Sequence, residues 1–171
     1  EHWQGDFNIS TLIRNANAFN AEKVFYLGKK RFDRRGTVGS HHYVDLVFLD
    51  GGISQLVELK KQYTFVAIDN NVPETHKLGN FNWSELEKPP LLIFGEEGVG
   101  LTEETLKLAD YTVEISQFGP VRSLNVGTSS GIIMYALTES LRNSTNAHKL
   151  QIEQYDGSEN VQSESSQLAL L

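Results

Sequence analysis

The chain has 171 residues, 39% hydrophobic and 22% charged, which is enough to bury the core of one ordinary globular domain. No apolar run approaches the roughly 18 residues of a membrane-spanning helix. No secretory signal is visible, although the chain begins without an initiator Met. The absence of cysteine excludes disulfides and thiolate-bound metals and fits a cytoplasmic protein. The formal charge of −7 argues against a general nucleic-acid binder, but its distribution matters more than its sum. Glu153, Asp156, Glu159 and Glu164 sit in a C-terminal stretch without Lys or Arg, and leaving them out takes the charge from −7 to −3. Lys29, Lys30, Arg31, Arg34 and Arg35 crowd one short segment. That is either a local RNA-binding patch or a solvated loop.

In chain order, residues 10–20 read as a helix, with Ser10 as its N-cap and Leu12, Ile13, Ala16 and Phe19 on one face. Lys23 to Leu27 reads as a short buried strand ended by Gly28, and 29–36 as a basic loop. Tyr43 to Leu49 is a strand candidate closed by the turn residues Asp50-Gly51-Gly52. A helix over Ser54–Lys61 and a strand over Tyr63–Ile68 follow. Residues 69–90, polar and broken by Pro73, Gly79, Pro89 and Pro90, read as a long loop with a helical turn near Trp83. Leu91–Phe94 is a strand, and Thr102 caps a helix over 103–109 with Glu103 and Glu104 in its first turn. Tyr111–Ile115 reads as the last strand, 116–124 as a loop, and Val126–Leu141 as a long apolar helix. Strands alternating with helices predict an α/β domain with a mostly parallel sheet flanked by helices, over residues 1–143. Residues 144–171 are rich in Ser, Gln, Asn and Glu, a composition that predicts a mobile tail, with Leu168, Leu170 and Leu171 at its end able to dock at a place the sequence does not name.

Two loops follow strand ends, where open α/β sheets bind ligands. Gly95-Glu96-Glu97-Gly98-Val99-Gly100 permits tight turns and close approach of a ligand to the backbone, or is an ordinary strand-to-helix turn. It matches neither a phosphate loop nor the dinucleotide fingerprint. The run Ile115-Ser-Gln-Phe-Gly-Pro-Val-Arg122-Ser123-Leu124-Asn125 concentrates hydrogen-bonding groups ahead of an apolar helix. Ser123 or Asn125 alone could cap that helix, but capping does not account for the whole set. A third element is Asn8 with Arg14. Arg14 interrupts the apolar stretch Leu12-Ile13-Arg14-Asn15-Ala16 and either faces solvent or offers a planar guanidinium to phosphate.

Together these elements resemble the SpoU (TrmH-like) family of RNA ribose 2'-O-methyltransferases, of the SPOUT class. The resemblance rests on Asn8-Ile-Ser-Thr-Leu-Ile-Arg14-Asn-Ala-Asn-Ala-Phe19, on Leu92-Ile-Phe-Gly95-Glu-Glu97-Gly-Val-Gly100-Leu101, and on Ile115 through Gly119 to Ser123-Leu-Asn125-Val126. It covers roughly residues 8–141, and the three motifs in order are far more specific than any one of them. The resemblance implies a deep C-terminal trefoil knot, a homodimer and S-adenosylmethionine as cofactor. It also implies a tRNA or rRNA substrate, while the lack of a membrane-length apolar run implies no membrane partner. By family pattern Arg14, Asn8, Glu97, Ser123 and Asn125 are catalytic positions. Backbone around Gly95, Ile115 and Leu124 grips the cofactor. Ser10, Asn20, Glu96 and Ser116 depart from the usual pattern, and only Glu1 to Phe7 stand where a strand usually precedes the first motif. Two other functions are compatible with the residues. One is an inactive RNA-binding or dimerisation module of the same fold. The other is an unrelated nucleotide-binding enzyme with a phosphate at a helix N-terminus.

Overall fold

The computed structural model describes residues 3–28, 30–96, 98, 100–143 and 166–170. Helix α1 spans Trp3–Ala18 and buries Leu12, Ile13 and Ala16. It closes where Asn20 takes a left-handed conformation (φ 53°), the usual way a helix stops without a following proline. Ser10 is therefore not an N-cap: the helix begins seven residues earlier. Ser10 lies fully buried in it and donates its hydroxyl to the Asp33 carbonyl at 2.8 Å.

Strands β1 (Ala21–Tyr26) and β2 (Asp45–Phe48) run parallel, with Lys23 opposite Asp45 and Tyr26 opposite Phe48. Helix α2 (Ile53–Leu59) leads to β3 (Thr64–Ile68), and the polar segment after it contains the two-residue β4 (His76–Lys77). The predicted turn at Trp83 is present as a short 3-10 helix. Asn82 caps it, and the Trp83 ring is buried edge-on to Phe81 at 4.6 Å. Strand β5 (Pro90–Phe94), helix α3 (Glu103–Leu108), strand β6 (Tyr111–Glu114) and helix α4 (Val126–Asn143) complete the alternation. Thr102 caps α3 through the Thr105 amide, as its position before two glutamates predicts.

The last described strand is not β6. Ser166–Leu170 form β7, so the expectation of a mobile tail does not hold for these five residues; 144–165 lie outside the described residues. The sheet order is β2-β1-β7-β5-β3-β6-β4 and every pairing is parallel. Strand β7 bridges two halves, Ala169 and Leu170 pairing with Lys23 and Val24 on one side and with Leu91 and Leu92 on the other.

Both faces of the sheet are covered, as a parallel sheet requires. Val24, Val66, Leu92 and Val113 pack beneath α1 and α4 with Ile13, Ile133, Met134 and Leu137. Their neighbours Phe25, Phe65, Leu91 and Ile93 point the other way, toward Leu56 of α2. Each such large side chain contributes about 1.5–3 kcal/mol on burial. Helices α1 and α4 meet closely because Gly127 carries no side chain: a Cβ there would stand 2.7 Å from Thr11 Cγ2. Across the same seam the Asn15 amide donates to the Gly127 carbonyl at 2.8 Å and to Ser130 Oγ at 2.9 Å. No helix among the described residues is long and apolar enough to cross a membrane.

Candidate functional site

The loops after β3, β5 and β6 converge at the C-terminal edge of the sheet around a cleft of about 390 Å³, within the range of small-molecule sites. Gly95 opens the middle loop, and there is no room for anything larger. A Cβ at Gly95 would lie 2.3 Å from the Gly100 carbonyl carbon, because the chain doubles back and the Gly100 amide donates to the Glu96 carbonyl at 2.8 Å. Positive φ values at Gly98 and Gly100 make this return possible.

The loop after β6 supplies the opposite wall. Ile115, Ser123, Leu124 and Asn125, four residues of the third motif, all line the cleft. Asn125 also caps α4: its Oδ1 accepts the Gly127 amide at 2.9 Å, while its Nδ2 donates to Asn8 Oδ1 at 2.8 Å. Asn8 is only 6% exposed, so this bond ties the first motif to the third beneath the cleft. Arg14 is not part of the wall. It is exposed on α1 and makes no hydrogen bond or ion pair with the described residues. Glu97 lies outside the described residues.

Two polar residues that sequence reasoning passed over shape the cleft. Asn70, just past β3, accepts the Ile115 amide at 3.3 Å and donates to the Ile115 carbonyl at 3.4 Å. It thereby holds the third-motif loop against the middle of the sheet. The only advance signal is the run Asp69-Asn70-Asn71 directly after a buried strand. The Ile115 N–H is consequently occupied, and its carbonyl keeps one lone pair for a ligand. Gln117 lines the same cleft, and both polar atoms of its amide are buried without a hydrogen-bond partner. Each such group costs about 1–3 kcal/mol while it stays unpaired.

The electrostatics limit what this cleft can hold. Its described lining includes the carboxylates of Asp69 and Glu96 and no Lys or Arg. The N-termini of α3 and α4 are occupied by Thr102 and Asn125. A phosphate-rich nucleotide would meet like charge and find both helix ends taken, which counts against the nucleotide-binding alternative.

The basic segment packs against α1, the helix that carries Asn8 and Arg14. A Cβ on Gly36 would stand 2.7 Å from Ser10 Cβ, and the Ser10–Asp33 bond pins the segment from the other side. Within it, Arg35 is engaged by Asp33, whose carboxyl is lowered to about 2, chiefly by the Arg35 side chain and then by its amide. Lys30, Arg31 and Arg34 project into solvent. Nearby, His41 and His42 lie with ring centroids 4.0 Å apart, and Tyr43 is 79% exposed. Loss of solvation, followed by the charges of His42 and Arg34, pushes the His41 pKa below its ordinary value.

Comparison with known proteins agrees with this geometry. The model of the SpoU rRNA Methylase family matches residues 1–135. The tRNA (guanosine(18)-2'-O)-methyltransferase of Aquifex aeolicus (strain VF5) is 30% identical over 137 residues, covering 77% of this chain and 63% of that protein. The enzyme of the same name from Escherichia coli (strain K12) is 26% identical over 142 residues, covering 80% and 59%. The chain therefore spans less than two thirds of the length of these relatives. Among solved structures, the A. aeolicus TrmH/SpoU tRNA modifying enzyme superposes with a TM-score of 0.71 at 27% identity, over 80% of this chain and 70% of that one. The SpoU methyltransferase AviRb from Streptomyces viridochromogenes, solved with AdoMet, superposes with a TM-score of 0.69 at 25% identity, over 81% and 57%.

Proposed function

The chain belongs to the SpoU rRNA Methylase family, and from that premise we propose that it transfers a methyl group from S-adenosylmethionine to a ribose 2'-hydroxyl of tRNA or rRNA. The observation that carries this reading is the cleft itself, where the second and third motifs face each other and Asn125 links the third to Asn8 of the first. The residues present fit the cofactor. A wall with carboxylates and no described cation suits a ligand bearing a sulfonium. The free lone pair of the Ile115 carbonyl offers a polar anchor, and Ile68, Phe94 and Leu106 supply apolar surface. Backbone near Gly95, Ile115 and Leu124 would hold the cofactor, which supplies an electrophilic methyl group when bound.

The chain's own work is alignment and charge. Bringing a hydroxyl into line with a methyl group is worth up to about 7–11 kcal/mol in well-oriented systems. Asn8 and Asn125 fix the loop in which Ser123 stands, and Glu97 is assigned to orienting Arg14 or the Gly95 loop. Arg14 is a poor general base because its guanidinium does not readily lose a proton. We assign it to gripping the phosphate next to the target ribose and to stabilising the developing alkoxide, with a phosphate oxygen helping to accept the proton. Its exposure, with no partner among the described residues, leaves it available to a large substrate. Lys30, Arg31 and Arg34, on the segment packed against the same helix, extend the positive surface.

The family's homodimer and C-terminal knot belong to the same proposal, as does a cytoplasmic setting without membrane association. The dimer is supported by the apolar side chains of Phe118, Val121 and Tyr135, which the 116–124 loop and α4 leave exposed.

The test is methyl transfer from labelled cofactor to total RNA, followed by nucleoside analysis. Label in a 2'-O-methylated nucleoside is the expected result; label on a base, or no label in RNA, overturns the proposal. An Arg14→Lys variant should keep cofactor binding and lose most of the transfer, and full activity would remove the role given to Arg14. An inactive scaffold, the competing function within this fold, predicts no cofactor binding by calorimetry.

A further inference from the structure

A second surface lies outside the cleft, where the basic segment turns into β2. His42 and Tyr43 are exposed there, Tyr43 to 79%. The rings stand on a fixed base. Thr37, fully buried, spends its one hydroxyl proton on the Arg34 carbonyl at 2.7 Å, so it accepts from His41 Nδ1 at 2.5 Å. That bond orients the His41 ring, and the His42 ring lies 4.0 Å from it at 37°. Tyr43 closes the short 3-10 turn Ser40–His42, its amide donating to the Ser40 carbonyl.

The segment leading to the turn is held as well. Phe32 packs edge-on to Tyr26 at 5.6 Å, and Tyr26 Oη donates to the Lys30 carbonyl at 3.2 Å. So many fixed contacts are more than a solvated loop needs. Asp33 is taken up by Arg35, whereas Lys30, Arg31 and Arg34 remain accessible. Arg34 acts on the His41 ring through its charge, so cation and rings share one surface. The surface also adjoins a residue given a role above. Asp33 and Gly36 pack on Ser10, and Arg14 follows one turn later on the same face of α1.

Exposed rings beside accessible cations match one ligand chemistry. Unpaired bases present flat faces that stack on aromatic side chains, while their phosphates take up Arg and Lys. A duplex keeps those faces covered and is recognised by shape and backbone. An apolar protein partner would have no use for cations gathered together in a chain of net charge −7.

We propose that His41, His42 and Tyr43 form a stacking platform for an unpaired nucleotide of the RNA substrate, with Arg31 and Arg34 on its phosphates. The assignment rests on the RNA reading given above.

The experiment is fluorescence anisotropy of the full chain and its variants with an end-labelled, mixed-sequence single-stranded RNA of about 12 nucleotides, and with the same strand annealed to its complement, at fixed salt. A version of the strand carrying 2-aminopurine reports stacking. The wild-type chain is expected to bind the single strand at least about tenfold more tightly than the duplex and to quench the 2-aminopurine. Tyr43→Ala should lose about tenfold for the single strand and most of the quenching, with its duplex affinity and melting temperature unchanged. Tyr43→Phe, which keeps the ring, should retain both. Arg34→Ala should weaken both RNAs alike and reduce the salt slope by about one. If Tyr43→Ala and His42→Ala bind and quench the single strand as wild type does, or if wild type binds the duplex equally well, the platform is overturned while the RNA reading stands. A protein or duplex occupant of this surface predicts that result. If the wild-type chain binds neither RNA, the platform is overturned, and methyl transfer to total RNA decides separately whether the RNA reading survives.

Discussion

Replacing Asn125 by Ala tests whether the first and third motifs are joined physically or merely lie near each other. The substitution removes two bonds. One is the α4 cap, from Oδ1 to the Gly127 amide at 2.9 Å, worth about 0.5–2 kcal/mol. The other is the 2.8 Å bond from Nδ2 to the buried Asn8, worth about 0.5–1.5 kcal/mol net. The expected loss is about 2–3 kcal/mol, equivalent to roughly 4–12 °C in the melting temperature of a chain of this size. The two contributions can be separated. Asn125→Ser retains an acceptor for the Gly127 amide but does not reach Asn8, so it should recover about 1 kcal/mol. A cycle combining Asn8→Ala with Asn125→Ala isolates the link, with an expected coupling of about 0.5–1.5 kcal/mol. Urea unfolding at constant m-value is the assay. A loss below about 0.5 kcal/mol for Asn125→Ala, or strict additivity in the cycle, would refute the claim that this asparagine ties the motifs together.

Other perturbations probe separate parts of the molecule. Gly95→Ala places a methyl group 2.3 Å from the Gly100 carbonyl carbon, so the Glu96–Gly100 return must open. Affinity for S-adenosylhomocysteine should fall at least about tenfold, the counterpart of about 1.4 kcal/mol, and an unchanged affinity in calorimetry would dissociate this turn from binding. Removing 166–171 leaves the edges of β1 and β5 unpaired, so hydrogen exchange at Val24 and Leu92 should accelerate and the shortened chain should aggregate. Retained protection at both residues would show that β7 does not support the sheet. The Asp33 carboxyl should titrate near 2 by NMR and return toward 3.8 in Arg35→Ala. Because its folded value lies below the unfolded one of about 3.9, its contribution to stability is present above about pH 4 and is lost as the pH falls toward 2. An Asp33 signal titrating near 3.8 in the wild-type chain would remove the effect.

Much of the molecule was legible because its determinants are local. Thr102 followed by Glu103 and Glu104 marks a helix start whatever the surroundings, and α3 begins there. The apolar runs 64–68 and 91–94 are too short for helices and are bounded by turn residues, so they read as buried strands. Gly95 and Ser123-Leu124-Asn125 stand in loops that follow such strands, and the structure brings both loops to one cleft.

Other features were decided only when distant segments met. Ser10 has the chemistry of a cap, yet α1 extends past it, and its hydroxyl serves instead to hold the basic segment through Asp33. Asn70 and Gln117 are single polar residues in loops, where no pattern distinguishes them from solvent-facing ones. Asn70 becomes a brace because β3 and β6 are neighbours, and Gln117 has both amide atoms buried without a partner among the described residues. Ser166–Leu170 carry the plainest case. Five residues in a polar tail say little about their partners, and their place is set by β1 and β5, strands more than 70 residues away that each pair with β7. Local sequence determines which segments form helices and strands and what chemistry their loops carry. Long-range pairing and burial determine which polar groups find a partner.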